Sequence, residues 1–220
     1  MKFSHKIIAT SSAILFTALS GMSFWQYTQV KAQEEATVKD SLEEIISGVK
    51  DAVDIELSTS MQLGEFTSRL IEQNPDREFI QKILNEPAIK NTFALAAMTY
   101  KADGSRIDND PSWQPSSSWD PRVRPWYTAA EAADKTIMTL PYADSVTKEM
   151  LSSIASPVKR NGELIGVTFY DMSLKNLAEK INKISLFNAG FIFMVSRDGT
   201  TIVHPDNDLL GKNMSSFLPN

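Results

Sequence analysis

The sequence has no cysteine and only two histidines, His5 and His204. Without cysteine there are no disulfides, no thiolate metal sites and no thiol nucleophile. With so few imidazoles, neither a nucleophile–base pair nor a histidine-built metal set is expected, so the chain does not read as an enzyme or as a holder of metal or cofactor. Ser116 to Ser118 lie outside any Gly-x-Ser-x-Gly elbow, and Gly162-Glu163-Leu164-Ile165-Gly166 lacks the lysine of a phosphate loop. Basic residues are outnumbered, 22 Lys+Arg against 27 Asp+Glu, and the net charge of −5 argues against a nucleic-acid surface. Long runs of like charge are absent too. A hydrophobic share of 42% is enough for a packed core and excludes wholesale disorder.

What is present begins at the N-terminus. Lys2, His5 and Lys6 precede a stretch from Ile7 to Tyr27 without a single charge. That is about the 20 residues a helix needs to cross a bilayer. Trp25 and Tyr27 stand at its far end, where amphipathic rings favour the interface. The basic flank comes first, so the positive-inside rule puts residues 1–6 in the cytoplasm and everything beyond Lys31 outside. Val30-Lys31-Ala32 has the small residues of a cleavage site, but a cleavable apolar core is usually shorter. On either reading the remainder is exported, in a bacterium to the periplasmic side of the inner membrane.

From Glu34 to Gln73 there is no proline, and glycine occurs only at Gly48 and Gly64. Val38, Leu42, Ile45, Val49, Val53, Leu57, Met61, Phe66 and Leu70 recur in steps near three and four, the stripe of one long helix over 34–73. Rising from an anchor, such a helix reads as a stalk whose stripe packs on a partner helix, giving a homodimer, or on the domain behind it. Asn74-Pro75 ends it. Asp76 to Leu84 reads as a short helix, Phe93 to Tyr100 as a strand, Asn109 to Ser118 as loop and Pro125 to Ala133 as a helix begun by proline. Met150 to Val158 and Leu164 to Asp171 read as strands of a hairpin turned at Asn161-Gly162. Ser173 then caps a helix from Leu174 to Ile184. Phe191 to Ser196 and Thr200 to His204 start a second strand pair, with His204 a local hydrogen-bonding residue and not a metal ligand. The order is α+β. The second unit reads as unfinished, so the sequence is expected to be an N-terminal piece of a longer polypeptide.

One segment concentrates chemistry: Trp119-Asp120-Pro121-Arg122-Val123-Arg124-Pro125-Trp126-Tyr127. Downstream stand Tyr142 and Asp144, then Asp171 at a strand end. A zwitterionic ligand asks for such a set. Its carboxylate takes a guanidinium fork and an indole or phenol donor, and its ammonium takes a carboxylate and an aromatic face. The alternative is a structural ion pair between Arg124 and Asp171, with the aromatics as core.

The motif and the order of elements resemble the extracellular double Cache sensor domain of bacterial methyl-accepting chemotaxis proteins, in its amino-acid-binding form. The resemblance rests on Arg124, Trp126, Tyr127, Tyr142 and Asp171 and covers 34–220. It implies a PAS-like antiparallel-sheet lobe over 74–184, membrane-distal and ligand-binding, and the start of a membrane-proximal lobe over 185–220. It also implies a transmembrane chemoreceptor; a histidine kinase or cyclic-dinucleotide enzyme with the same module is the alternative output. By resemblance, Arg124 and Trp126 hold the ligand carboxylate and Asp171 receives the ammonium, with Tyr127, Tyr142 and Asp144 completing the polar shell. Where the family usually has tyrosine, this chain has Trp119, which donates one hydrogen bond and accepts none, so it narrows the pocket or offers a cation–π face. The bound molecule is accordingly expected to be an amino acid or a related amine-bearing acid.

Overall fold

The computed structural model describes residues 3–183 and 191–217. Residues 1–2 of the basic flank, the expected helix end and lobe boundary at 184–185, and residues 218–220 lie outside that range. The anchor and stalk expected as separate segments are one uninterrupted helix, α1 (Phe3–Gln73). The chain divides into two compact units, residues up to Asp51 and residues from Ala52 onward.

In the first unit Ile14, Leu15, Phe16, Leu19, Phe24 and Trp25 are all exposed. By length and composition α1 is the one helix among the described residues able to cross a membrane, with a mean hydropathy of 1.6 over its most apolar window, none of it buried. Lys31–Glu35 and Lys39–Glu43 form i,i+4 pairs on its solvated surface, at 3.8 and 3.7 Å.

The second unit is built on an antiparallel sheet. Its path is β2 (Arg106–Asp108), β1 (Leu95–Tyr100), β6 (Glu163–Ser173), β5 (Met150–Arg160) and β3 (Ile137–Met138), with β4 (Tyr142–Ala143) also on the edge of β5. β5 and β6 form the hairpin expected from Asn161-Gly162, whose φ values of 55° and 83° suit a tight turn with both central residues left-handed. α2 (Arg77–Leu84) starts where Asp76 accepts hydrogen bonds from the backbone N–H groups of Glu78 and Phe79, at 3.0 and 3.3 Å. α3 (Pro87–Thr92), α4 (Pro125–Ala133) and α5 (Leu174–Asn182) complete the helices. Ser173 caps α5 by accepting from Asn176 N. A small second sheet pairs β7 (Met194–Val195) with β8 (Thr201–Val203), shorter than expected, and Asp206 N donates to His204 Nδ1 at 2.9 Å.

Side chains alternate across the main sheet, so its two faces are distinct. One face carries Ala96, Met98, Ile154, Val158, Tyr170 and Met172. It packs against Leu57, Met61 and Ile71 of α1, Ile80 and Leu84 of α2 and Ile89 of α3. The other face carries Leu95, Ala97, Ala155, Val167 and Phe169 and packs against Trp113, Trp126, Tyr127 and Ala130.

The helical stripe expected through Phe66 and Leu70 needs correction. Phe66 is exposed; Leu57 and Met61 of the expected stripe do pack on the sheet-face core, and the buried line then continues through Gly64, Thr67, Ser68 and Ile71. The reason is close approach: a Cβ added at Gly64 would sit 3.0 Å from the Tyr170 ring. Ser68 Oγ also lies 2.7 Å from Thr168 Oγ1 and 3.0 Å from Tyr170 Oη, so between Gly64 and Ser68 the buried line is made of small and hydrogen-bonding residues, which apolar periodicity passes over.

Candidate functional site

The segment after the long loop is shaped by local capping. Asp120 accepts from Arg122 N and caps a single 3-10 turn, Pro121–Val123. The same carboxylate takes the Arg122 guanidinium at 2.8 to 3.2 Å. Two neighbouring arginines are thereby told apart. Arg122 is paired locally, whereas Arg124, at the N-cap of α4 and half-buried, makes no side-chain hydrogen bond or ion pair among the described residues.

Pro125 then opens α4 and puts Trp126 and Tyr127 in its first turn, facing the sheet. Trp126 stacks on Phe169 with ring centroids 4.2 Å apart. Tyr127 is buried and its hydroxyl has no hydrogen-bond partner among the described residues. Burial first, and the charge of Glu131 next, push that phenol up to about 12. Its charged neighbours are Glu131, Arg122 and Asp120, so its hydroxyl is not among the groups gathered around Asp171. Trp119 is half-buried and stands edge-on to Trp113, centroids 5.1 Å apart.

Asp171 lies near the end of the central strand β6, on the same face as Phe169, and is 1% exposed. Ser153 sits directly opposite it on β5 and donates to its Oδ1 through a short hydrogen bond. Tyr142 Oη lies 3.2 Å from the same oxygen and 2.5 Å from Ser153 Oγ. No cation pairs with Asp171 among the described residues. Burial therefore dominates and pushes its carboxyl up to about 7; the bonds from Ser153 and Tyr142 work against this, and the charge of Asp144 adds to it. Burial, then the Asp171 charge, likewise raise the Tyr142 phenol far above its ordinary range.

Asp144 is buried but differently furnished. Its Oδ1 accepts from Val146 N, Thr147 N and Thr147 Oγ1 at 2.8, 2.7 and 3.1 Å, and both oxygens lie within 3.4 Å of Trp113 Nε1. Burial alone would raise its carboxyl, but these donors outweigh burial and hold it below the usual carboxylate range. Asp144 thus closes its own turn and anchors Trp113. Its reach toward Asp171 is electrostatic.

The structure therefore joins Tyr142 and Asp171 directly, places Asp144 beside them, and puts Trp126 on the same sheet face. The ion pair between Arg124 and Asp171 does not occur. Two participants were not anticipated. Trp113 bridges Asp144, Trp119 and Phe169, and the Arg106 guanidinium lies over its ring at 5.0 Å. Ser153 is the cross-strand partner of Asp171. A serine-rich strand was the only signal for it.

A long helix on one face of an antiparallel sheet, with a helix and an aromatic loop over a buried carboxylate on the other, defines a sensor-type α+β domain. The Cache domain family model, in its dCache_1 form, matches residues 25–219, and this chain belongs to that family. It is 31% identical over 219 residues to the methyl-accepting chemotaxis protein PctB of Pseudomonas aeruginosa, covering 100% of this chain and 34% of PctB. The chain spans about a third of the length of the curated relatives it matches. Among solved structures, the ligand-binding domain of Mlp24 with asparagine superposes with a TM-score of 0.73 at 36% identity, covering 84% of this chain and 78% of that one. The ligand-binding domain of the Pseudomonas aeruginosa amino acid chemoreceptor PctC with GABA superposes at 0.73 and 30% identity, covering 82% and 83%.

Proposed function

We propose that this chain is the extracytoplasmic sensor region of a bacterial transmembrane chemoreceptor, and that it binds an amino acid or related amine-bearing acid without transforming it. The observation that carries this is Asp171, a buried carboxylate near the end of the central strand with no cation beside it among the described residues. An ionised, unpaired carboxylate is among the least favourable things to bury, so such a group suits a site whose cation arrives from outside. Arg124, half-buried and without an anion, is its complement. A zwitterion satisfies both, the ammonium on Asp171 and Tyr142 and the carboxylate on Arg124 with the Trp126 indole. Asp144 adds negative potential at the ammonium end. Trp119 and Tyr127 line the aromatic side.

In this reading residues 7–27 cross the inner membrane and the positive flank stays in the cytoplasm. Residues 34–73 form the stalk of a homodimer, 74–184 the membrane-distal binding lobe and 185–220 the start of a membrane-proximal lobe. The relatives are methyl-accepting chemotaxis proteins, which favours that output over a kinase or cyclase. Ligand binding would then favour one of two geometries and pass a displacement along α1.

Isothermal titration of the full chain in detergent, with the common amino acids and γ-aminobutyrate, tests the reading. Saturable binding of at least one, lost in Arg124→Ala, is the expected result. A panel without a binder overturns the proposal, and an Arg124→Ala variant that binds normally overturns the site.

A further inference from the structure

Three oxygens meet at the buried end of the site: Asp171 Oδ1, Ser153 Oγ and Tyr142 Oη. All three pairs are within hydrogen-bond distance, the longest being 3.2 Å. Three contacts need three protons, yet two hydroxyls supply only two. If Asp171 is ionised, one contact always holds no proton: the 2.5 Å contact between the hydroxyls when both donate to Asp171, or the 3.2 Å contact between phenol and carboxylate when Tyr142 donates to Ser153 and Ser153 to Asp171. Two oxygens that face each other without a proton between them repel. If Asp171 Oδ1 carries a proton, the ring closes: Tyr142 donates to Ser153, Ser153 to Asp171, and Asp171 to Tyr142. Every contact then has one donor and one acceptor.

We propose that Ser153 is a positioning residue of this site, that Asp171, buried without a cation, keeps a proton when the site is empty and shares it in a ring with Ser153 and Tyr142, and that an arriving ammonium expels this proton to solvent. The second half rests on the amino-acid reading above; the first does not. The balance is simple. The O–H bond of Asp171 breaks, its electron pair stays on the carboxylate, the proton leaves to buffer, and the cationic ligand keeps its own protons. The surroundings agree. On this sheet face β1 presents Leu95 and Ala97. The charge acting on Asp171 is that of Asp144, an anion, which favours the neutral form. Glu149, also an anion, accepts from Ser173 farther along β6. Arg124 makes no contact that would hold the carboxylate ionised. Burial drives the same group up to about 7, consistent with a proton retained at mildly acidic pH.

The arrangement makes binding proton-linked. Below the titration midpoint, affinity for a zwitterion should weaken about tenfold for each pH unit. The test uses the full chain in an ester-free detergent. Infrared difference spectra of wild type against Asp171→Asn should show the C=O stretch of a protonated carboxyl at pH 6, gone at pH 9. In Ser153→Ala the midpoint of that band should rise by about one pH unit, because a bond that favours the anion is removed. A residue with only a packing role would leave the midpoint unmoved. With L-asparagine as probe, binding heats at pH 6 in buffers of different ionisation enthalpy should report close to one proton released per ligand.

Absence of the Asp171-dependent band at pH 6, or an unmoved midpoint in Ser153→Ala, overturns the proposal. Asparagine binding at pH 6 without proton release overturns the displacement step and leaves the amino-acid reading standing. A full amino-acid panel without a binder, with the band intact, supports the proton-holding site and overturns the receptor reading instead.

Discussion

The two faces of the main sheet solve the same problem differently. On the α1 side the polar atoms where the helix meets the sheet bond to one another. Ser68 donates to Gly64 O at 2.7 Å, and its oxygen is within reach of the Thr168 and Tyr170 hydroxyls. At the edge of this core the Tyr100 hydroxyl is buried without a partner among the described residues, but no buried carboxyl lies on this face among them. On the α4 side, among the described residues, a carboxyl is buried without a cation, the Tyr127 hydroxyl has no partner and Arg124 has no anion. The strand β6 belongs to both faces, carrying Tyr170 one way and Asp171 the other. One face leaves a phenol unpaired at its edge, and the other leaves a carboxyl without a cation among the described residues, which fits the proposal of a site where stability is given up for function.

Truncation on the α1 side should cost the most. Leu84 is fully buried in that core, and Leu84→Ala should lose about 2–5 kcal/mol of unfolding free energy. Urea titration of the full chain, followed by tryptophan fluorescence, measures it. A loss under about 1 kcal/mol would mean that this face is looser than described.

The opposite sign is expected at Asp171. Its folded-state carboxyl is held near 7, well above the unfolded value of about 4. Between those values the unfolded chain releases its proton while the folded one keeps it. Stability therefore falls as pH rises from about 4 to 7, and the fall is complete above 7. Asp171→Asn does not titrate. The variant should gain on wild type across that window, on the order of 4 kcal/mol at pH 8 and little at pH 4, while losing ligand. Thermal melts at the two pH values distinguish this from simple loss of packing, which would show no such pH dependence.

A smaller cost is expected from Ser68→Ala. It strips the Thr168 and Tyr170 hydroxyls of a shared partner and should cost about 1–2 kcal/mol, with ligand affinity unchanged. A comparable loss of affinity would show that the two faces are not separable.

How much of this was readable beforehand differs by face and by range. Local chemistry was legible: the Asp76 and Ser173 caps, the Pro125 start of α4 and the Asn161-Gly162 turn all announce themselves by residue type. The candidate residues Arg124, Trp126, Tyr142 and Asp171 stood out because charge and aromatics crowd there. Short elements did not. β3 and β4 have two residues each, β2 has three, and α3 buries a single apolar side chain, Ile89, so none carries a period. Ser153 was hidden by register. Counting back from the turn, where Arg160 faces Glu163, pairs Asp171 with Ser152. An irregularity between Val158 and Lys159 shifts the ladder by one, and that slip turns Ser153 toward the carboxyl instead. Arg122 and Arg124 were indistinguishable until the Asp120 cap claimed one of them.

The smallest change in stability should come with one of the largest changes in binding. Arg124 is half-buried, and its guanidinium has no partner whose loss could be felt by the fold. Arg124→Ala should therefore move unfolding free energy by no more than about 0.5 kcal/mol. If the guanidinium is the carboxylate fork, losing it removes a charge-assisted bidentate contact from a poorly hydrated site, and affinity should drop at least about 30-fold. Arg122→Ala is the control: its charge is spent on Asp120, so it should leave binding within about threefold of wild type, consistent with the small worth of exposed pairs. The two variants differ by two positions in sequence and should differ by at least about a factor of ten in affinity. Equal effects would mean that the division of labour set by the Asp120 cap does not govern the ligand.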